Sequence, residues 1–399
     1  MKIELERPPK HEIIYRINRL FDEISKQSQN WDAVFLIDKI NQYYLTGTMQ
    51  DGVFVLRNDG SYAYFVRRNF ERAKLECMVD NLYPMVSYKD VAGVLGNDIH
   101  NIYIETEVAS YGLLERIKKY FAIDDIHSIH KIISNVRAVK SQYEISCMVE
   151  SGRQHHYLLE NIVPALLKEG INEAELTGEI YHQMIKLGYH GVSRFSMFQT
   201  EVVVGQIGFG ENSVYPSSFN GPGGMKGMCP AIPIIGDRQR TLKKGDLVFV
   251  DIGYGVCGYH TDRTQIYMFG ATPPDELIKI HKECIDIQQK TAALLKPGNI
   301  PSEIYNTVMS DLKPEFLENF MGASNSRVKF LGHGVGLQID EFPVIANGFD
   351  DPLAENMTLA IEPKKSMQGV GILGVEDTYI VTKTGGECIT NGEKEIWIV

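Results

Sequence analysis

The chain has 399 residues, of which 44% are hydrophobic and 23% charged, with a formal net charge of −11. These values describe a globular protein with enough apolar material for a full core, spread over two or three domains. The acidic balance argues against a nucleic-acid binder, and no run of about 18 apolar residues offers a membrane span.

The charged N-terminus lacks the apolar core of a secretory leader. Apolar residues Ile13, Ile14, Ile17, Leu20, Phe21 and Ile24 then recur at helical spacing, which predicts a helix over 13–25. A short apolar strand at 33–37 follows. Two apolar or alternating runs flank Asn58-Asp59-Gly60 and predict a β-hairpin. A strand at 101–105 and a helix at 111–121 complete an α/β domain over 1–135. The remainder, 136–399, opens with a long amphipathic helix that breaks at Gly170, and a second helix starts at Glu173. Residues 205–245 are rich in Gly, Pro and Ser and read as loops. Strand hairpins from Asp246, helices over 275–295 and 302–320, and further hairpins to the end give an α/β (α+β) fold class. The six cysteines, Cys77, Cys147, Cys229, Cys257, Cys284 and Cys388, form no Cys-x-x-Cys pair and read as reduced thiols of a cytoplasmic protein.

Five residues carry the functional signal. Asp251 closes the apolar run Leu247–Val250, and Asp262 lies on the expected return strand. His333 stands between glycines, where close approach is possible. Glu362 follows the apolar run Thr358–Ile361, and Glu376 opens a strand pattern. Acids at the ends of apolar strands are costly unless a cation pairs with them. Four carboxylates and one imidazole suit Mn, Fe, Co or Zn, and four negative charges match two divalent ions sharing a bridging water. His260, two positions before Asp262, projects to the same face and is a catalytic candidate. Tyr259 and Thr264 are placed to support the ligands. His155 and His156 read as packing or surface residues. The loop Tyr215–Gly224 either lines the pocket or lies on the surface.

In this order the blocks DLVFVDIG, GYHTDRT, LGHGVGL, LAIEP and GVEDTYIVT resemble those of the pita-bread metallopeptidases, which include prolidase, aminopeptidase P, methionine aminopeptidase and the metal-free creatinase. The segment WDAVFLIDKINQYYLTG resembles the creatinase/prolidase N-terminal domain, and AVKSQYEISCMVESGRQ the entry helix of the catalytic domain. The resemblance implies a creatinase-like N-terminal α/β domain followed by a pita-bread catalytic domain. It implies Asp251, Asp262, His333, Glu362 and Glu376 as ligands of two metal ions, manganese favoured, with Glu362 also accepting a proton from the nucleophilic water. It further implies a homodimer acting on a small peptide or other small molecule, with no nucleic-acid or membrane partner.

Three positions depart from the pattern. Asp340 stands where peptidases of this kind carry a second histidine, seven residues after the first. The stretch 205–250 has no histidine, and Gly374 replaces an arginine two residues before the last glutamate. An ionised carboxylate accepts but does not donate, so Asp340 suits a cationic substrate group such as a free amine, or acts as a protonated donor. The leading expectation is a dinuclear Xaa-Pro peptidase of the aminopeptidase P or prolidase type. The alternatives are a metalloenzyme of the same fold acting on a non-peptide small molecule, as an amide hydrolase or lyase, and a non-catalytic binding protein.

Overall fold

The computed structural model describes residues 7–197, 200, 202–217, 219–323 and 327–399. The first six residues and Ser218 of the 215–224 loop therefore lie outside the described residues. The chain divides into two compact units, Met1–Arg137 and Ala138–Val399. The expected cut after residue 135 falls inside the helix His130–Ala138.

The first unit is built on six strands: β1 (Ala33–Leu36), β2 (Gly52–Arg57), β3 (Tyr62–Val66), β4 (Leu82–Pro84), β5 (Asn101–Ile104) and β6 (Asp125–Ser128), in the order β4-β3-β2-β1-β5-β6. β1 pairs antiparallel with β2 and parallel with β5. The expected hairpin is β2–β3, turned at Gly60 with φ of 82°. The helix Lys10–Gln27 buries Ile13, Ile17, Leu20 and Ile24, one stripe of a 3.6-residue period.

The second unit opens with the helix Gln142–Tyr157, whose Ser141 and Glu144 form a capping box. The expected single helix to Gly170 is interrupted earlier. A π-helical turn spans Leu158–Ile162, and the last helical turn, Val163–Leu166, contains Pro164. Proline has no N–H for a helical hydrogen bond, so the pitch changes just ahead of it. The helix Glu173–Lys186 follows.

The strands of this unit are β7 (Gly205–Phe209), β8 (Leu247–Val256), β9 (Tyr259–Met268), β10 (Phe330–Gly334), β11 (Glu341–Ala346), β12 (Thr358–Ile361), β13 (Lys364–Met367), β14 (Gly371–Gly374), β15 (Asp377–Thr382), β16 (Gly385–Cys388) and β17 (Trp397–Ile398). They form a four-stranded sheet β17-β9-β8-β7, a five-stranded sheet β11-β10-β12-β15-β16 and the hairpin β13-β14. β7 corrects the reading of 205–245 as loops. It pairs with β8, and its glycines fit that position: a Cβ on Gly205 would lie 2.1 Å from the Asp251 carbonyl oxygen. The predicted helix over 302–320 is two pieces, Pro301–Ser310 and Pro314–Leu317, because Pro314 starts a new turn.

β8 and β9, ten residues each, form a hairpin closed by Cys257 (φ 52°) and Gly258 (φ 90°), the two positive angles of a type I′ turn. β8 runs on to Val256, so Asp251 is mid-strand, not terminal. Val248, Val250, Ile252 and Tyr254 pack with Leu176, Ile180 and Met184 of the second helix in one core. Leu331, Leu359, Ile361 and Val381 pack with Cys284, Ile287, Ile304 and Val308 in another.

The entry helix packs closely on the chain after β16: a Cβ on Gly152 would sit 2.1 Å from the Ile389 carbonyl oxygen. Gly152→Ala should therefore destabilise the protein by about 1–3 kcal/mol, the usual cost of overpacking. Urea unfolding followed by circular dichroism measures it, and an unchanged midpoint would show that the helix can shift without cost.

Candidate metal centre

The two sheets of the second unit meet at one cluster of charges. Asp251 on β8 pairs in register with Thr264 on β9, and Gly253 pairs with Asp262. The two aspartates are thus diagonal neighbours on one face, as residues eleven apart around a tight hairpin should be. His333 comes from β10, opposite Ala360 of β12. Glu362 follows β12 directly, and Glu376 precedes β15. Because Ile361 pairs with Asp377, the two glutamates oppose each other at the base of the β13–β14 hairpin. A bridge between Thr264 and Glu376 ties the first sheet to the second.

All five residues line one cavity, together with Ser193, Phe195, Val202, Phe219, Ile339 and Asp340. Asp340 approaches His333 Nδ1 at 4.0 Å. Asp262, His333 and Glu376 offer ligand atoms all within 4.8 Å of one another. His333 Nε2 lies 3.6 Å from Glu362 Oε1 and 3.7 Å from Glu376 Oε1. The buried Glu376 Oε1 has no hydrogen-bond partner among the described residues. Left dry, such an oxygen costs about 1–3 kcal/mol or more, so this donor set fits a bound cation.

Thr264 supports the cluster as expected, donating to Asp251 Oδ1 at 2.9 Å or Glu376 Oε2 at 3.2 Å. Tyr259 points elsewhere and donates to Glu144. From the 215–224 loop, Phe219, Asn220 and Gly221 reach the cavity, whereas Tyr215 is half exposed.

The sequence reading missed Lys364. Its side chain is fully buried, and Nζ donates to Asp251 Oδ2 (3.0 Å), Glu362 Oε2 (2.8 Å) and Glu376 Oε2 (2.6 Å). The available signal was its place two residues after Glu362, since alternate residues of an extended chain share a face. Burial pushes the Asp251 carboxyl up to about 6 against the pull of Lys364, and pushes Glu362 up to about 8. Burial likewise raises Asp262, reinforced by Glu376 and Asp251. At Glu376 burial acts upward too, but Lys364 and His333 together hold it down at about 2. Burial alone would lower Lys364 and His333; the surrounding carboxylates reverse this, and both are raised well above their ordinary values.

His260 does not line the cavity. It is fully buried near the turn end of β9, where Nδ1 donates to the Gly336 carbonyl at 2.9 Å and Nε2 accepts from the Arg194 N–H at 3.4 Å. Both ring nitrogens are thereby engaged, which corrects the expectation that sharing a face with Asp262 places it in the site. Its neighbour is His190, also unforeseen, at 3.2 Å between the two Nε2 atoms. His190 Nδ1 accepts from the Gly258 N–H, so its proton sits on Nε2 and points to Val192. The ring packs on Gly255, where a Cβ would lie 2.0 Å from it. His155 is buried with Nδ1 3.2 Å from Thr261 Oγ1, and His156 is half exposed.

Comparison with known proteins gives the same outline. The model of metallopeptidase family M24 matches residues 146–383, and that of the creatinase/prolidase N-terminal domain matches 16–139. A Xaa-Pro dipeptidase of Pyrococcus furiosus is 25% identical over 376 residues, covering 92% of this chain and 95% of that protein. The prolidase of Pyrococcus horikoshii superposes with a TM-score of 0.78 at 22% identity, over 96% of this chain and 99% of the other. Dipeptidase PepE of Mycobacterium ulcerans gives 0.79 at 21% identity, over 98% and 99%. The two structural likenesses speak for the fold. Among the described residues, no helix is long and apolar enough to cross a membrane.

The histidine pair makes stability depend on pH. Burial, then His260 and Arg194, holds His190 down at about 3, and burial holds His260 at about 4. Unfolded histidine titrates near 6.5, so the unfolded chain takes up protons first as the pH falls. The stability from each ring is complete above about pH 6.5 and declines below it, by roughly 1.4 kcal/mol per pH unit per ring down to the folded value. The carboxyls that burial raises act in the opposite sense, so the comparison with His190→Asn isolates the ring: between pH 7 and 4 the wild-type urea midpoint should fall relative to that of the variant. An equally steep slope in the variant would sink this account.

Proposed function

The chain belongs to metallopeptidase family M24, whose peptidases work with a pair of metal ions, and from that premise we propose that it is a metal-dependent hydrolase of the Xaa-Pro dipeptidase type acting on small peptides. The observation that carries this reading is the convergence of Asp251, Asp262, His333, Glu362 and Glu376, from separate segments, on one cavity with an unpartnered buried Glu376 oxygen.

Asp251, Asp262, His333, Glu362 and Glu376 are the residues that would hold the metal, and Thr264 and Lys364 contact Asp251. Manganese is the ion we favour; cobalt, iron and zinc suit the same oxygen-rich set. When bound, the metal would supply a water acidic enough to attack near neutral pH and would polarise the scissile carbonyl. Glu362, on the cavity wall, accepts the proton of that water. Phe195, Val202, Phe219 and Ile339 give the cavity an apolar wall that suits a prolyl ring. Asp340, on the same cavity and partly exposed, accepts hydrogen bonds from the free amino group of a dipeptide. His260 is a positioning residue that fixes the turn end of β9. We place the protein in the cytoplasm as a homodimer, a reading supported by its six free cysteines and by the family resemblance.

The test is a panel of Xaa-Pro dipeptides, other dipeptides and non-peptide amides, run on manganese-loaded protein and after chelation. Cleavage of Xaa-Pro substrates that chelation abolishes is the expected result. Turnover of another amide without any Xaa-Pro cleavage would overturn the substrate assignment. Asp340→Asn should raise KM for free dipeptides roughly 10- to 100-fold, the worth of a hydrogen bond to a charged group, and leave N-acetylated substrates unaffected. A similar loss on both substrate types would remove the amine-binding role from Asp340.

A further inference from the structure

We propose that the Lys364 ammonium occupies one of the two cation positions of the centre, so that the chain binds a single divalent ion where its family uses a pair. The inference rests on the reading of this site as a metal centre and concerns how its cations are made up.

The oxygens of the cluster fall into two groups. Lys364 Nζ takes Asp251 Oδ2, Glu362 Oε2 and Glu376 Oε2 at 2.6–3.0 Å, using all three of its donors. The other oxygen of Asp251 accepts from Thr264. On the opposite side, Glu362 Oε1 and Glu376 Oε1 face His333 Nε2 at 3.6 and 3.7 Å. Those spacings would let the three atoms face one cation. Asp262 joins His333 and Glu376 on this side, three residues whose ligand atoms lie within 4.8 Å of one another, with Glu362 Oε1 3.6 Å from His333 Nε2. A second ion held by Asp251 and Glu376 would need the oxygens that Nζ already contacts. Two positive centres sharing those oxygens would repel strongly in a site shielded from water.

The fold keeps the lysine in place. Lys364 pairs across the hairpin with Gly374, where a Cβ would lie 2.6 Å from Lys364 Cα and 3.0 Å from its Cγ. Only glycine leaves room for the lysine stem there. Nζ also lies 5.8 Å from the centre of the Phe249 ring, which favours a cation. The lysine side chain is fully buried.

Metal-free full-length protein is titrated with manganese, and bound metal per chain is measured by calorimetry and elemental analysis. The EPR spectrum reports whether bound ions couple to each other. One uncoupled ion per wild-type chain is expected. Lys364→Met, which keeps the stem and removes the charge, should gain a second, coupled ion, whereas Lys364→Arg should stay at one. Two coupled ions in the wild-type chain would overturn this inference and leave the proposed hydrolase intact. No bound ion at all would overturn both. The wild-type measurement decides the matter even if a variant does not fold.

Discussion

The structure depends on keeping four carboxylates together in a place that water barely reaches. Asp251, Asp262, Glu362 and Glu376 converge from strands that also carry the hydrophobic core, and unpaired charges there would cost several kcal/mol each. Two resident groups oppose them. Lys364 gathers one oxygen from each of three acids, and His333 faces the remaining glutamate oxygens. The orphaned oxygen of Glu376 marks where positive charge is still required. Electrostatics and folding are therefore one problem in this region.

The backbone around the cluster serves the same end. The long β8–β9 hairpin holds two acids on one face, and its tight turn leaves little freedom in their spacing. Glycines stand where strands come too close for a side chain: Gly205 against Asp251, and Gly374 against Lys364. The neutral pair His190 and His260 fixes the turn end of the hairpin with hydrogen bonds to backbone groups. These histidines hold backbone groups, whereas Asp340 lines the cavity and, in the proposed function, offers the polar contact to a substrate. A donor exchanged for an acceptor at that position alters which end of a small peptide the site can hold.

Much of the site was legible in the chain because its chemistry is local to short blocks. Apolar runs that end in an acid, with glycines beside a histidine, disclosed the five converging side chains and the hairpins that carry them. Hairpin register follows from turn length and alternation, so the Asp251–Asp262 relation could be read without coordinates. Lys364 and His190 escaped because their meaning comes from partners far away in sequence. A lysine after Glu-Pro reads as a surface residue until the strand opposite is seen to be glycine. His260 was misplaced for the complementary reason: alternation gives the face a side chain shares, but not how far along that face the cavity extends.

By itself, the sequence determined the alternation of strands and helices outside 205–245, the pairing of the local hairpins and the residue types able to hold a cation. These are set by short-range periodicity, turn chemistry and the cost of burying charge. Only the tertiary structure decided that β7 completes the sheet beside Asp251, that His260 turns to Gly336 and His190, and that the ammonium of Lys364 sits among three carboxylates. Each of these depends on which distant backbone approaches closely enough to exclude water and accept a hydrogen bond, a relation that no spacing along the chain encodes.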